Sequence, residues 1–255
     1  MTASILSLVR DLHRKKARER RGRTLAEGVR LVEEALAAGI PIEAAVTSPA
    51  LEGSERGRAL KARLLAAGVP QVAVDDAELE RLATTEQSQG VVAVIALPAA
   101  TLEGLRVGPR SVLAVLDGLQ DPGNVGTIVR TALAFGVTAV IALPGTAELA
   151  NPKTLRSAMG AAFRLPFVAT DEARAAAWLS QGGIAVATAS ADGLPFDPAA
   201  LPRPLALVLG NEGAGARSAL AAAAAHRVAI PLAAGVESLN VAVAAGILLH
   251  GVARD

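Results

Sequence analysis

The sequence predicts an α/β protein of two units, a smaller α/β unit first and a parallel sheet covered by helices after it. Two observations carry this expectation. Beyond residue 110 the apolar runs are continuous, at 111–116, 139–143, 183–188, 205–209 and 228–230. Strands buried on both faces read this way, whereas half-exposed strands alternate. Helical patterns fall between these runs, at 125–135, 154–162, 171–181, 217–225 and 241–252. Repeated β-α alternation is the grammar of a doubly wound sheet. The length, 255 residues, is enough for two cores.

Taken in order, residues 1–23 read as a basic helical arm. Thr24-Leu25-Ala26-Glu27 has the spacing of a capping box and predicts a helix that opens there and stops near Gly39. Strands are expected at 42–47, 69–74 and 91–97, and helices at 55–67 and 76–84. Residues 24–97 thus form a compact α/β unit. Pro98, Gly104, Gly108 and Pro109 mark 98–110 as a linker, and 111–255 form the sheet unit.

Hydrophobic residues make up 52% of the chain and charged residues 19%, the balance of a globular protein. The absence of cysteine excludes a disulfide framework, a thiolate metal site and a cysteine nucleophile. The three histidines, His13, His226 and His250, are scattered, so no metal is expected. No apolar stretch reaches the roughly 18 residues a membrane span needs, and no cleavage-site pattern follows the first apolar residues. A cytoplasmic protein with no membrane partner fits. The net charge is only +1, yet eight of the 25 basic residues lie between Arg10 and Arg23. Such a cluster is either a nucleic-acid footprint or a solvated helix face. No aromatic residue precedes Phe135, so a base-stacking platform is not expected in the first half.

Ligands of open α/β sheets sit beyond the carboxyl ends of the strands. Three loops here leave strands at that edge. The first, Leu116-Asp117-Gly118-Leu119-Gln120-Asp121-Pro122-Gly123-Asn124, places Asn124 where a helix N-cap belongs, with Arg130 further along an apolar helix. That arginine needs an acid, a carbonyl or a phosphate. The second, Leu209-Gly210-Asn211-Glu212-Gly213-Ala214-Gly215, lets backbone approach a ligand closely but lacks the ending of a phosphate-binding P-loop. The third runs from Ile230-Pro231-Leu232 to Glu237-Ser238-Leu239-Asn240, where Ser238 or Asn240 is suited to cap the last helix.

DPGNVGTIVRTALAFG, LVLGNEGAG and IPLAAGVESLNVAVAAGILLH together resemble the three signature motifs of the SpoU (TrmH-like) family of the SPOUT superfamily. Residues 151–162 are similar to the segment between its first two motifs, and 24–97 to its N-terminal substrate-binding domain. The resemblance implies a sheet with a deep trefoil knot and a homodimer. It implies S-adenosylmethionine as cofactor, held by Leu209, Gly210, Asn211, Gly213, Ile230, Leu232, Ser238, Leu239 and Asn240. Its catalytic candidates are Asn124, Arg130, Glu212, Ser238 and Asn240. The implied activity is methylation of a ribose 2′-hydroxyl in structured RNA, with large-subunit ribosomal RNA favoured by the separate N-terminal domain. Alternatives are a tRNA 2′-O-methyltransferase, a base-nitrogen methyltransferase and a non-catalytic ribosome-assembly factor on the same fold. One departure is Ala242, where the family often has a serine.

Overall fold

A computed structural model describes residues 2–85, 88–211, 215–216 and 218–253. In chain order the first elements are α1 (Thr2–Leu12), α2 (Lys15–Arg21), β1 (Thr24–Glu27), α3 (Val29–Ala37), β2 (Ile42–Thr47), α4 (Glu55–Ala66), β3 (Gln71–Ala73), α5 (Asp76–Leu82) and β4 (Val91–Ile95). There follow β5 (Val112–Asp117), α6 (Pro122–Ala134), β6 (Ala139–Ala142), α7 (Pro152–Ala158), β7 (Phe167–Ala169), α8 (Glu172–Gln181), β8 (Ala185–Pro195), β9 (Leu205–Gly210), α9 (Ala219–Ala222), β10 (His226–Ala229) and α10 (Val241–Ala253). They form two compact units. One takes the residues up to Pro98 together with 150–163, and the other takes 99–149 and everything from Arg164.

The first unit is built on a four-stranded sheet ordered β1-β4-β2-β3, in which β4 runs antiparallel to both neighbours and β3 parallel to β2. Val9 and Leu12 of α1 are fully buried among Leu25, Val46, Val92, Leu79 and Leu82. The N-terminal segment is therefore part of the core, not a detached arm. Its charges are also largely engaged. Asp11 gathers Arg14, Arg20 and Arg21, Arg10 pairs with Glu78, and Arg23 with Glu43. Arg18 is buried and donates to the carbonyls of Leu12 and His13 at 2.9 and 2.8 Å.

Thr24–Glu27 is a strand, not the opening of a helix. All four residues are buried, in register from Thr24 opposite Ile95 to Glu27 opposite Val92. The Glu27 carboxylate does not fold back onto its own helix end. It accepts from the Thr84 amide at 3.0 Å, the Thr84 hydroxyl at 2.8 Å and Arg156 at 3.0 Å. Gly28 then turns the chain at φ 91°, a left-handed conformation that only glycine adopts freely. Helix α3 starts at Val29, whose amide donates to the side chain of Gln89.

The second unit is a six-stranded sheet ordered β10-β8-β9-β5-β6-β7, with every pairing parallel. Strands β5 and β9 are buried almost throughout and lie side by side, Leu116 opposite Leu209. The chain crosses from one half of the sheet to the other here, which is where an open sheet leaves a crevice. Two features escaped the sequence reading: the short strand β7, and the continuation of β8 to Pro195 alongside β10. The stretch expected as a linker contributes to this core, with Leu102 buried and Leu105 and Val107 packed beside it. No helix among the described residues is long and apolar enough to cross a membrane.

Candidate active site

Strand β5 ends at Asp117, and Gly118 turns the chain away at φ 70°. Asp121, not Asn124, caps α6. Its side chain accepts the Asn124 amide at 2.9 Å, and Pro122 occupies the first turn, where its missing N–H costs nothing. The Asn124 side chain is thereby left for another partner. Its Oδ1 accepts from Asn240 Nδ2 at 3.1 Å. Asn240 Oδ1 accepts the Ala242 amide at 2.9 Å, so Asn240, and not Ser238, holds the start of α10. The first and third loops thus meet through two asparagines 116 positions apart in sequence.

The second loop is tied to the first by two further bonds. Asn211 Nδ2 donates to the Gly118 carbonyl at 3.2 Å, and the Ser218 amide donates to the buried Asp117 carboxylate at 2.8 Å. Asn211 and Gly215 exchange backbone bonds of 3.1 and 2.8 Å. A Cβ on Gly210 would lie 1.9 Å from the Ala216 nitrogen, so no side chain fits there. Glu212 and Gly213 lie outside the described residues.

The second and third loops, with the end of β8, line a cavity of about 620 Å³, the size of a nucleoside-type ligand site. Leu209, Gly210, Asn211, Ile230, Leu232, Ser238 and Leu239 all line it. Asn240 and Asn124 are not among its walls and stand beside them. The cavity has residues that the sequence reading missed: Thr188, Ser190 and Asp192 from the end of β8, Arg227 from β10, and Glu237. Asp192 accepts from Ser190 and pairs with Arg227 at 3.2 Å. The Ser190 hydrogen bond first, and Arg227 second, hold its carboxyl below the usual carboxylate range. The signal was present in principle, since the residues just past any parallel strand's C-terminal end face the ligand edge. Ala189-Ser190-Ala191-Asp192-Gly193 breaks the apolar run, and this hid the strand's continuation.

Arg130 stands about one and a half turns beyond Asn124 on α6. It is exposed and makes no hydrogen bond or ion pair with any described residue. Of the expected partners, an acid or a carbonyl is not found among the described residues, which leaves a phosphate. A guanidinium left open in this way is a fixed fork for an anionic oxygen. Among the described residues no group of histidines and carboxylates could hold a metal ion.

A family model described as the SpoU rRNA Methylase family matches residues 111–250, more than half of the chain. The chain belongs to this family. The sheet unit is accordingly the knotted catalytic domain of the SpoU methylases, whose methyl donor is S-adenosylmethionine. A second model, the MRM3-like substrate binding domain, matches residues 6–93. A curated SpoU relative, the Bacillus subtilis 23S rRNA (guanosine(2553)-2′-O)-methyltransferase RlmP, is 37% identical over 94% of this chain and 92% of its own length. The SpoU methyltransferase AviRb from Streptomyces viridochromogenes, crystallised with AdoMet, superposes with a TM-score of 0.87 at 28% identity, covering 98% of this chain and 96% of its own. An AdoMet-bound rRNA methyltransferase from Sinorhizobium meliloti gives 0.85 at 30% identity, with 98% and 94% covered.

Proposed function

We propose that this chain transfers a methyl group from S-adenosylmethionine to a ribose 2′-hydroxyl of large-subunit ribosomal RNA in the cytoplasm. The observation that carries this reading is the cavity lined by the second and third loops, with the first loop bonded to both through Asn240 to Asn124 and Asn211 to Gly118. The relatives whose names specify a guanosine 2′-O-methyltransferase of 23S rRNA supply the substrate class.

The residues fit the cofactor. The cavity has apolar walls at Leu209, Ile230, Leu232 and Leu239, and backbone close to its edge at Gly210. When bound, S-adenosylmethionine supplies a methyl group on a sulfonium, an electrophile that needs alignment and not a metal. The remaining work belongs to the chain. Arg130 takes an RNA phosphate or the developing 2′-oxyanion on its guanidinium. An arginine in its ordinary state is already protonated and cannot accept the hydroxyl's proton, so its part is electrostatic and the proton passes to solvent as the methyl moves from sulfur to oxygen. Asn124 and Asn240 fix each other and orient the ribose. Ser238 and Glu212, from the other two loops, complete the catalytic set.

The chain acts as a homodimer. Val243 and Ile247, one turn apart on α10, are 53% and 43% exposed, and Leu232 and Val236 in the loop before it are also open. Such an apolar stripe on a helix is suited to a second copy.

The test is incubation of the purified protein with labelled S-adenosylmethionine and, in parallel, ribosomal RNA and tRNA, followed by nuclease digestion. Label recovered as a 2′-O-methylnucleoside is expected. Label on a base, on tRNA alone, or on no RNA at all overturns the reaction, the substrate, or the catalytic reading respectively.

A further inference from the structure

Thr188 closes the apolar part of strand β8 and lines the cavity. It is 3% exposed, and its hydroxyl is buried without a hydrogen-bond partner. A buried hydroxyl left unpaired is a cost that folded proteins rarely carry, because it gives up water and gains nothing. No neighbour among the described residues explains its presence. Valine has nearly the same shape and would fill the place at no such cost.

The surroundings say which kind of ligand group would satisfy it. Thr188 sits between Val208 of β9 and Arg227 of β10, and Val208, Ala221 and Leu209 around it are buried. Of the charged groups of the cavity, Asp192 and Arg227 are mostly solvent-exposed, at 70% and 57% of their side-chain surface, and Glu237 is exposed too. A zwitterionic amino-acid group belongs at that wet, charged end. A flat heterocycle with its ribose belongs where the walls are apolar and dry. Resting on the cofactor reading above, we infer that the Thr188 hydroxyl is a specificity contact, hydrogen-bonded to the adenosine moiety of the bound cofactor.

Thr188→Val and Thr188→Ser separate this role from a structural one. Dissociation constants for S-adenosylhomocysteine, 5′-methylthioadenosine and adenosine are measured by calorimetry, and the melting temperature is taken without ligand. In Thr188→Val all three ligands weaken by the same factor, about three- to tenfold for one neutral hydrogen bond. Its ligand-free melting temperature stays level or rises, since an unpaired hydroxyl has gone. Thr188→Ser keeps near-normal affinity. Unchanged affinities in Thr188→Val overturn the inference, as does a clear drop in its ligand-free melting temperature. A loss seen with S-adenosylhomocysteine but not with adenosine overturns the assignment to the adenosine moiety. A wild-type protein that binds none of the three overturns the cofactor reading itself, which keeps the two failures distinct.

Discussion

Arg130 separates folding from chemistry more cleanly than any other residue at this site. It is exposed and unpartnered among the described residues, so its removal breaks no bond seen among them. Arg130→Ala is expected to keep the circular dichroism spectrum and melting temperature of the parent, within the roughly 0.5 kcal/mol typical of surface changes. Methyl transfer should fall by about 100-fold or more, the usual loss when one oriented donor is taken from a developing oxyanion. Near-normal turnover in Arg130→Lys would refute the need for a forked donor. Asn124 and Asn240 behave differently from each other. Asn240→Ala loses both the cap of α10 and the bond to Asn124, and should cost about 1 kcal/mol of stability. Asn124→Ala leaves the cap in place and should melt closer to the parent. Residue chemistry was the most legible layer. The polar positions of all three motifs stand out against an alanine-rich background, although which asparagine caps which helix was not readable. Asp121 and Asn124 both carry capping side chains three residues apart, and only the placement of Pro122 in the first turn decides between them.

At the level of elements, the continuous apolar runs located the parallel strands because burial on both faces leaves no room for alternation. The four residues 24–27 were misread because capping-box spacing is a local pattern, while their structure is set by distant partners. Glu27 is buried at 2% of its side-chain surface and answers to Thr84 and Arg156. Glu27→Gln should therefore destabilise the first unit strongly, by about 3–5 kcal/mol if Arg156 is left without its counter-charge. Denaturant melts of Glu27→Gln, Arg156→Met and the pair would show the double variant costing less than the sum of the two. Helix α10 offers the complementary test. Ile247→Glu places a charge in its exposed apolar stripe, and sedimentation is expected to show a dimer for the parent and a monomer for the variant. An unchanged dimer would move the interface elsewhere.

For the whole molecule, composition and charge were the least direct guides. The net charge of +1 conceals the basic N-terminal cluster, and the cluster itself is partly neutralised by Asp11, Glu43 and Glu78. Surface pairs of this kind are weak enough to be exchanged for phosphates. Asp11→Asn should therefore tighten RNA binding at low salt and steepen its salt dependence. A flat response would remove the N-terminal helices from the RNA footprint. Arg14 and Arg21 hold the Asp11 carboxyl below its ordinary value, so its stabilising part is present at neutral pH and disappears only as pH falls through that lowered value. Deleting 1–23 outright is a poorer experiment, because Val9 and Leu12 leave the core with it.

Residues 150–163 carry one more consequence. The first unit recruits them after β5 and β6 of the sheet unit have already been laid down. Arg156, which answers the Glu27 carboxylate, therefore leaves the ribosome long after its partner. During synthesis the N-terminal sheet must wait with Glu27 lacking its counter-charge. A fragment ending at Pro98 should stay trapped in that waiting state, prone to proteases, however complete its own strands are.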